Sequence, residues 1–172
     1  MSLVRSFPPI ADAKARVLIL GSMPGLASLA AGQYYAHAQN LFWQILGEVT
    51  GAAASLPYAT RVRALKSSGI ALWDVLAACV REGSLDSAID AASISVNDFG
   101  AFYRAHPGIV QVFFNGAKAE ASYRRHVLPA LADAIAPAKL VRLPSTSPAN
   151  ASMSRAHKQK VWKRTLRLSL SA

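Results

Sequence analysis

The side chains best suited to chemistry in this chain gather in four short segments. The densest is Gln33-Tyr34-Tyr35-Ala36-His37-Ala38-Gln39-Asn40-Leu41-Phe42-Trp43, which sets tyrosines, a histidine and carboxamides just ahead of a helical pattern. A carboxamide carries donors and an acceptor together, so it can read the hydrogen-bonding edge of a ligand or hold a water. An aromatic ring offers a face for a planar ligand. These residues also have ordinary uses: Asn40 suits the N-cap of a helix starting at Leu41, and Tyr34, Phe42 and Trp43 suit a core. The second segment, Gly21-Ser22-Met23-Pro24-Gly25, is a tight turn that lets backbone approach a ligand closely. The third is Asn115-Gly116, a carboxamide beside a flexible glycine, and a turn would use the same pair. The fourth, Leu143-Pro144-Ser145-Thr146-Ser147-Pro148-Ala149-Asn150, joins small hydroxyl residues, suited to phosphate oxygens, with two prolines that stiffen the loop.

These segments follow apolar runs at a regular place. Val17 to Leu20, Ile70 to Trp73, Val110 to Phe114 and Leu140 to Leu143 read as strands. Helical spacing covers Leu41 to Val49, Ala59 to Ser67, Val96 to Ala105, Ala117 to Ala134 and about Ser154 to Leu168. Alternating strands and helices predict an α/β fold, a three-layer α/β/α sandwich around a four-stranded, mostly parallel sheet. In such sheets ligands bind beyond the carboxyl ends of the strands, where the loops after Leu20, Phe114 and Leu143 lie.

With 172 residues, 52% of them hydrophobic, and no repeat or linker, the expectation is one domain over residues 1–172. The longest apolar stretch, Gly69 to Val80, contains Asp74 and falls short of a membrane span, and the N-terminus has no secretory pattern. A cytoplasmic monomer is expected. A lone Cys79 reads as a core residue and supplies neither a disulfide nor a four-ligand metal site. His106, His126 and His157 show no ligand spacing, so no metal is expected.

Charge points to a polyanion. Nineteen Lys and Arg against nine Asp and Glu give a formal +10. Every acid lies at or before Asp133, whereas Lys139, Arg142, Arg155, Lys158, Lys160, Lys163, Arg164 and Arg167 follow it without a counterweight. Phosphate binding along the last helix, with Lys160, Lys163 and Arg164 as contacts, is one reading of that field, and a solvated face is the other.

Taken together, the four segments resemble the uracil-DNA glycosylase superfamily, most of all its DNA-deoxyinosine (hypoxanthine) branch, with mismatch-specific uracil glycosylases next. The resemblance runs from Val17 to about Leu166. It implies that Gly21, Ser22, Met23 and Pro24 form the first motif against the base. It implies that Tyr35 stacks on a base turned out of DNA, in a frame continued by Ala36, His37, Asn40, Phe42 and Trp43, with Ala38 where proline is usual. The loop carrying Ser145, Thr146, Ser147, Pro148 and Asn150 would press on the DNA backbone and fill the vacated space.

The departures narrow the reading. Ser22-Met23 stands where most of the superfamily has an Asp, Asn or Glu that positions the hydrolytic water. In the deoxyinosine branch the resemblance moves that function to Asn40. Leu143 replaces the His or Asn that steadies a departing uracil, so weak uracil removal is expected. Asn115 is our candidate for reading the base edge. Asp74 reads as a helix cap, with water activation as an alternative role, and His37 as a residue fixed by local hydrogen bonds. The expected partner is DNA bearing a deaminated base, with no cofactor. The rival readings are a mismatch-specific uracil or thymine glycosylase, a DNA-binding relative without catalysis, and a nucleotide-binding protein. A P-loop is disfavoured because no Lys with Ser or Thr follows Gly25.

Overall fold

A computed structural model describes residues 2–132, 136–137 and 139–171. Its centre is a four-stranded sheet of β2 (Val17–Gly21), β3 (Ile70–Asp74), β6 (Gln111–Asn115) and β7 (Lys139–Leu143), in the order β3-β2-β6-β7 with every neighbouring pair parallel. These strands lack the clean polar alternation of a half-wet sheet because both faces are covered. Successive side chains point to opposite faces, and each face has its own core. Leu18, Leu20, Ala71, Trp73, Val112 and Phe114 meet α4 (Phe99–Ala105) and α5 (Ala117–Ser122). Val17, Ile19, Ile70, Leu72 and Phe113 meet α2 (Phe42–Thr50), α3 (Tyr58–Ser67) and α6 (Arg155–Leu170). The result is the expected three-layer sandwich, and Cys79 is a buried core thiol.

Several elements differ from the sequence expectation. A second, antiparallel sheet joins β1 (Ser2–Arg5), β4 (Leu76–Arg81) and β5 (Ser95–Val96). A short helix α1 (Leu26–Ala31) follows Gly25, without the Lys of a P-loop. The helix expected from Val96 starts at Phe99, because Val96 pairs with Leu76 and Asp98 accepts the Ala101 N–H as cap. The helix expected over Ala117 to Ala134 is α helix only to Ser122. It loosens into a π segment at Tyr123–Val127 and then a 3₁₀ turn at Leu128–Ala130, where Pro129 cannot donate to a helix. Its expected end, Ala134, lies outside the described residues.

Register does the positioning. Gly21 pairs with Asp74 and Asn115 with Leu143, so all four parallel strands end at one level. Asp74 therefore ends a strand and leads through Val75 into β4. It does not cap a helix as the sequence suggested, because the β3–β4 connection leaves no helix for it to begin.

Candidate active site

Beyond those strand ends lies a cavity of about 920 Å³, within the range of small-molecule sites. Its walls include Gly21 to Gly25, Tyr35, His37, Asn40, Asp74, Asn115 and the loop from Leu143 to Asn150. All four chemically suited segments thus converge, as the α/β architecture requires.

The floor is built by close approach. A Cβ at Gly21 would lie 2.4 Å from Asp74 Oδ1 and 2.8 Å from the Tyr35 hydroxyl, so only glycine fits. Asp74 is 3% exposed, and its Oδ2 is shut off from solvent with no hydrogen-bond partner. Burial, reinforced by Asp86 and opposed by Arg81, pushes its carboxyl up to about 7. Asn97 braces this strand end by donating from Nδ2 to the Asp74 carbonyl at 2.8 Å. Ser22 faces sideways, donating to Asp86 Oδ1 at 2.7 Å, and the Met23 side chain joins the core beneath α4 and α5. All five residues of the Gly21–Gly25 turn line the cavity, with the Ser22 hydroxyl already bonded and Met23 largely buried.

Tyr35 is held in an unusual conformation. Its φ of 53° is strained for an aromatic residue, at a typical cost of about 1–3 kcal/mol. One ring face stacks on Phe42, with centroids 4.1 Å apart and planes at 23°, so a planar ligand can use only the other face. The hydroxyl is buried without a partner, and desolvation with the Asp74 charge raises its pKa well above the usual range. Tyr34, Phe42 and Trp43 are core residues, as expected.

Asn40 supports the helix start, though not from the N-cap position itself. Leu41 occupies the N-cap position of α2, yet Asn40 Oδ1 accepts the Phe42 N–H at 3.0 Å and so serves the helix start from one residue further back. The side-chain oxygen is engaged by the backbone, and Asn40 is part of the cavity lining. His37 Nδ1 accepts from the Gln39 N–H at 3.2 Å, the local restraint anticipated for it.

The loop after β7 is fastened from behind. Asn115 Nδ2 donates to Thr146 Oγ1 at 2.9 Å, and Asn115 Oδ1 accepts the Thr146 N–H at 2.9 Å. The Asn115 amide, expected to read a base, spends one hydrogen and one lone pair on the loop. Thr146 is 1% exposed, which makes it part of this fastening and not a surface that meets a backbone; Ser145, Ser147, Pro148 and Asn150 stay on the cavity rim. Lys158, which sequence reasoning did not select, is 3% exposed and donates from Nζ to the Ser147 carbonyl at 3.3 Å and to the Asn150 carbonyl. One turn on, Trp162 Nε1 donates to the Pro144 carbonyl at 2.7 Å. The i, i+4 spacing of Lys158 and Trp162 marks the inner face of α6.

Lys160, Lys163 and Arg164 lie on the other side of that helix, along a shallow groove with Arg167, and none of them lines the cavity. Lys163 Nζ is held by Glu48 Oε2 at 2.6 Å. The cations nearest the chemistry are Lys118 and Arg142 in the cavity wall, and Arg155, which donates to the Gln39 carbonyl at 3.1 Å. Their separation along the chain hid them as a group. Among the described residues, no cluster of three or more His, Cys, Asp or Glu could hold a metal, and no helix is long and apolar enough to cross a membrane.

With this geometry in view, comparison with known proteins is decisive. The family description "Uracil DNA glycosylase superfamily" matches residues 8–166. The chain belongs to the uracil DNA glycosylase superfamily. Within it, the chain is 42% identical to a hypoxanthine DNA glycosylase of Methanosarcina barkeri over 115 residues, covering 66% of this chain and 72% of that one. It is 38% identical to a hypoxanthine DNA glycosylase of Methanosarcina acetivorans over 116 residues, covering 67% and 72%. A solution NMR structure from Methanosarcina acetivorans, provisionally described as a uracil DNA glycosylase, aligns over 99% of this chain and 100% of its own, with a TM-score of 0.81 at 32% identity. The superfamily's fold is thus the three-layer sandwich described above, and the cavity sits at its strand ends.

Proposed function

We propose that this protein is a monofunctional DNA glycosylase that turns a deaminated base out of DNA, preferring hypoxanthine in deoxyinosine, and hydrolyses its bond to the sugar. The observation that carries the reading is the cavity itself: a recess roomy enough for a purine, floored by Gly21 and Asp74 and rimmed by a fastened Ser/Pro loop, in a chain 42% identical to a hypoxanthine DNA glycosylase. Extruding a nucleotide costs a few kcal/mol, least for a damaged or mispaired base, which is one source of selectivity.

In this reading the base stacks on the free face of Tyr35, and Ser145, Ser147, Pro148 and Asn150 meet the DNA backbone and the gap left in the stack. Water oxygen bonds to C1′ as the C1′–N bond breaks, its electron pair leaves with the base, and the proton released by the water ends on that base. Charge develops on both sides of the breaking bond, so fixed dipoles lower the barrier. Asn40 is the residue to which we give that role: its oxygen is held by Phe42, and its amide hydrogens remain to hold the water or the departing purine. Leu143 is buried and apolar and offers no donor to uracil. One chain supplies every wall of the cavity, so the reading needs no second copy, and a DNA substrate favours a cytoplasmic location.

The test is a panel of oligonucleotides containing hypoxanthine, xanthine, uracil or ethenoadenine, scored for abasic sites. Hypoxanthine release with much weaker uracil release is expected. Equal or greater uracil release would move the protein to the mismatch-specific uracil group, and DNA binding without any release would make it a non-catalytic relative.

A further inference from the structure

An enzyme that removes hypoxanthine faces adenine as its most abundant competitor, and the two differ only at one edge. Deamination replaces the 6-amino group with an oxygen and places a hydrogen on N1, so hypoxanthine donates where adenine carries a lone pair. Ring size and stacking are nearly unchanged. Tyr35 therefore cannot separate the two bases, and a group at the far end of the cavity must.

The DNA backbone stays outside, so the glycosidic bond lies at the mouth and the pairing edge of the base reaches the floor. Asp74 is on that floor. Its Oδ2 is buried without a partner, an arrangement that natural structures rarely tolerate without a reason. Its Oδ1 and the Tyr35 hydroxyl both approach the space above Gly21, where the floor is narrowest. The base-edge candidate from sequence, Asn115, has half of its amide committed to Thr146, whereas the free oxygen of Asp74 has no partner at all. Asn40 is only half-buried, with its oxygen held by the Phe42 N–H.

We infer that Asp74 tells hypoxanthine from adenine: when ionised, its carboxylate accepts the N1–H of hypoxanthine and opposes the N1 lone pair of adenine. This rests on the hypoxanthine reading above and gives Asp74 a specificity role distinct from the bond-breaking role of Asn40. A buried site built to bond a substrate N–H rejects an analogue lacking it by about 10⁴–10⁵-fold, more than shape alone achieves. Asn97 and Gly21 then act as positioning residues for the strand end that carries the carboxyl.

The experiment uses Asp74→Asn, an isosteric change whose amide can offer either an acceptor to N1–H or a donor to the adenine N1. Single-turnover cleavage is measured at about pH 8, where Asp74 is mostly ionised, with hypoxanthine and with adenine, each opposite an abasic-site analogue so that pairing strength drops out. The variant should retain hypoxanthine release within about tenfold while its preference for hypoxanthine over adenine falls at least about a hundredfold. A melting assay with free bases gives a second readout that needs no cleavage: hypoxanthine should protect the wild type more than adenine does, and this difference should vanish in D74N. An unchanged preference in both assays overturns the inference. Equal slowing on hypoxanthine and adenine also overturns it, by assigning Asp74 to bond breaking. A wild type that releases no base overturns the functional reading and this inference with it.

Discussion

Asn40 offers a prediction in which structure and chemistry separate cleanly. Its Oδ1 accepts the Phe42 N–H at 3.0 Å, so Asn40→Ala removes a helix-start bond worth about 0.5–2 kcal/mol. In a protein of this size that corresponds to a fall in Tm of a few degrees, about 2–4 °C per kcal/mol. Asn40→Asp keeps the acceptor for Phe42 and loses the amide hydrogens. If those hydrogens hold the water or the leaving purine, both variants should lose about 10²–10³ in rate, the cost of removing one preorganised donor. The expected pattern is a lowered Tm for Ala, a nearly unchanged Tm for Asp, and a rate at least about a hundredfold down in both. Single-turnover cleavage of an inosine duplex at saturating enzyme, with a melt of each variant, reads both quantities. Ala cleaving within a few-fold of wild type would leave Asn40 as a helix anchor alone and make Asp74 the next candidate for the bond-breaking step.

Lys158→Met should free the rim loop by stranding the Ser147 and Asn150 carbonyls, costing about 1–3 kcal/mol and raising hydrogen exchange across residues 144–150; unaltered exchange there would show that Trp162 and Asn115 suffice. Neutralising Lys160 and Arg164 together should lower the log–log salt slope of DNA binding by up to about two, and an unchanged slope would confine the footprint to the rim near Lys118, Arg142 and Arg155. A carboxyl whose folded pKa is raised holds more protons folded than unfolded, so Asp74 should make stability fall as pH rises from about 4 to about 7. Asp86, Arg81, Tyr34 and Tyr35 are the ionisable groups that couple to it, and the Tm advantage of Asp74→Asn should grow across that window; a constant advantage would mean the carboxyl titrates normally.

The central sheet was legible because each of its strands is built on a short, mostly apolar run, and parallel order follows from the helices between them. The loops that line the cavity were legible for the same reason, as whatever follows those runs. The second sheet was not, since β1 is half exposed and carries no alternation strong enough to distinguish it from a terminus. Lys158 was hidden because a lysine on a basic helix looks like surface, and only its spacing from Trp162 hints at the inner face. Asp74 was misread because a carboxylate after a strand commonly starts a helix, whereas here the register with Gly21 turns it toward the cavity floor. Asn115 and Thr146 could be singled out as polar loop residues, but their mutual bonding joins positions 31 residues apart and has no local signature.

The fastening by α6 bears on how the protein comes into being on the ribosome. Synthesis runs from the N-terminus, so β2, β3 and β6 are made long before Arg155, Lys158 and Trp162, which tie down the 36–41 segment and the rim loop. A nascent chain can thus assemble the sheet and both of its apolar faces in part while the recess above it still lacks a rim. The order of synthesis sets the sheet first, and the recess above it is completed only when α6 has been made and packed.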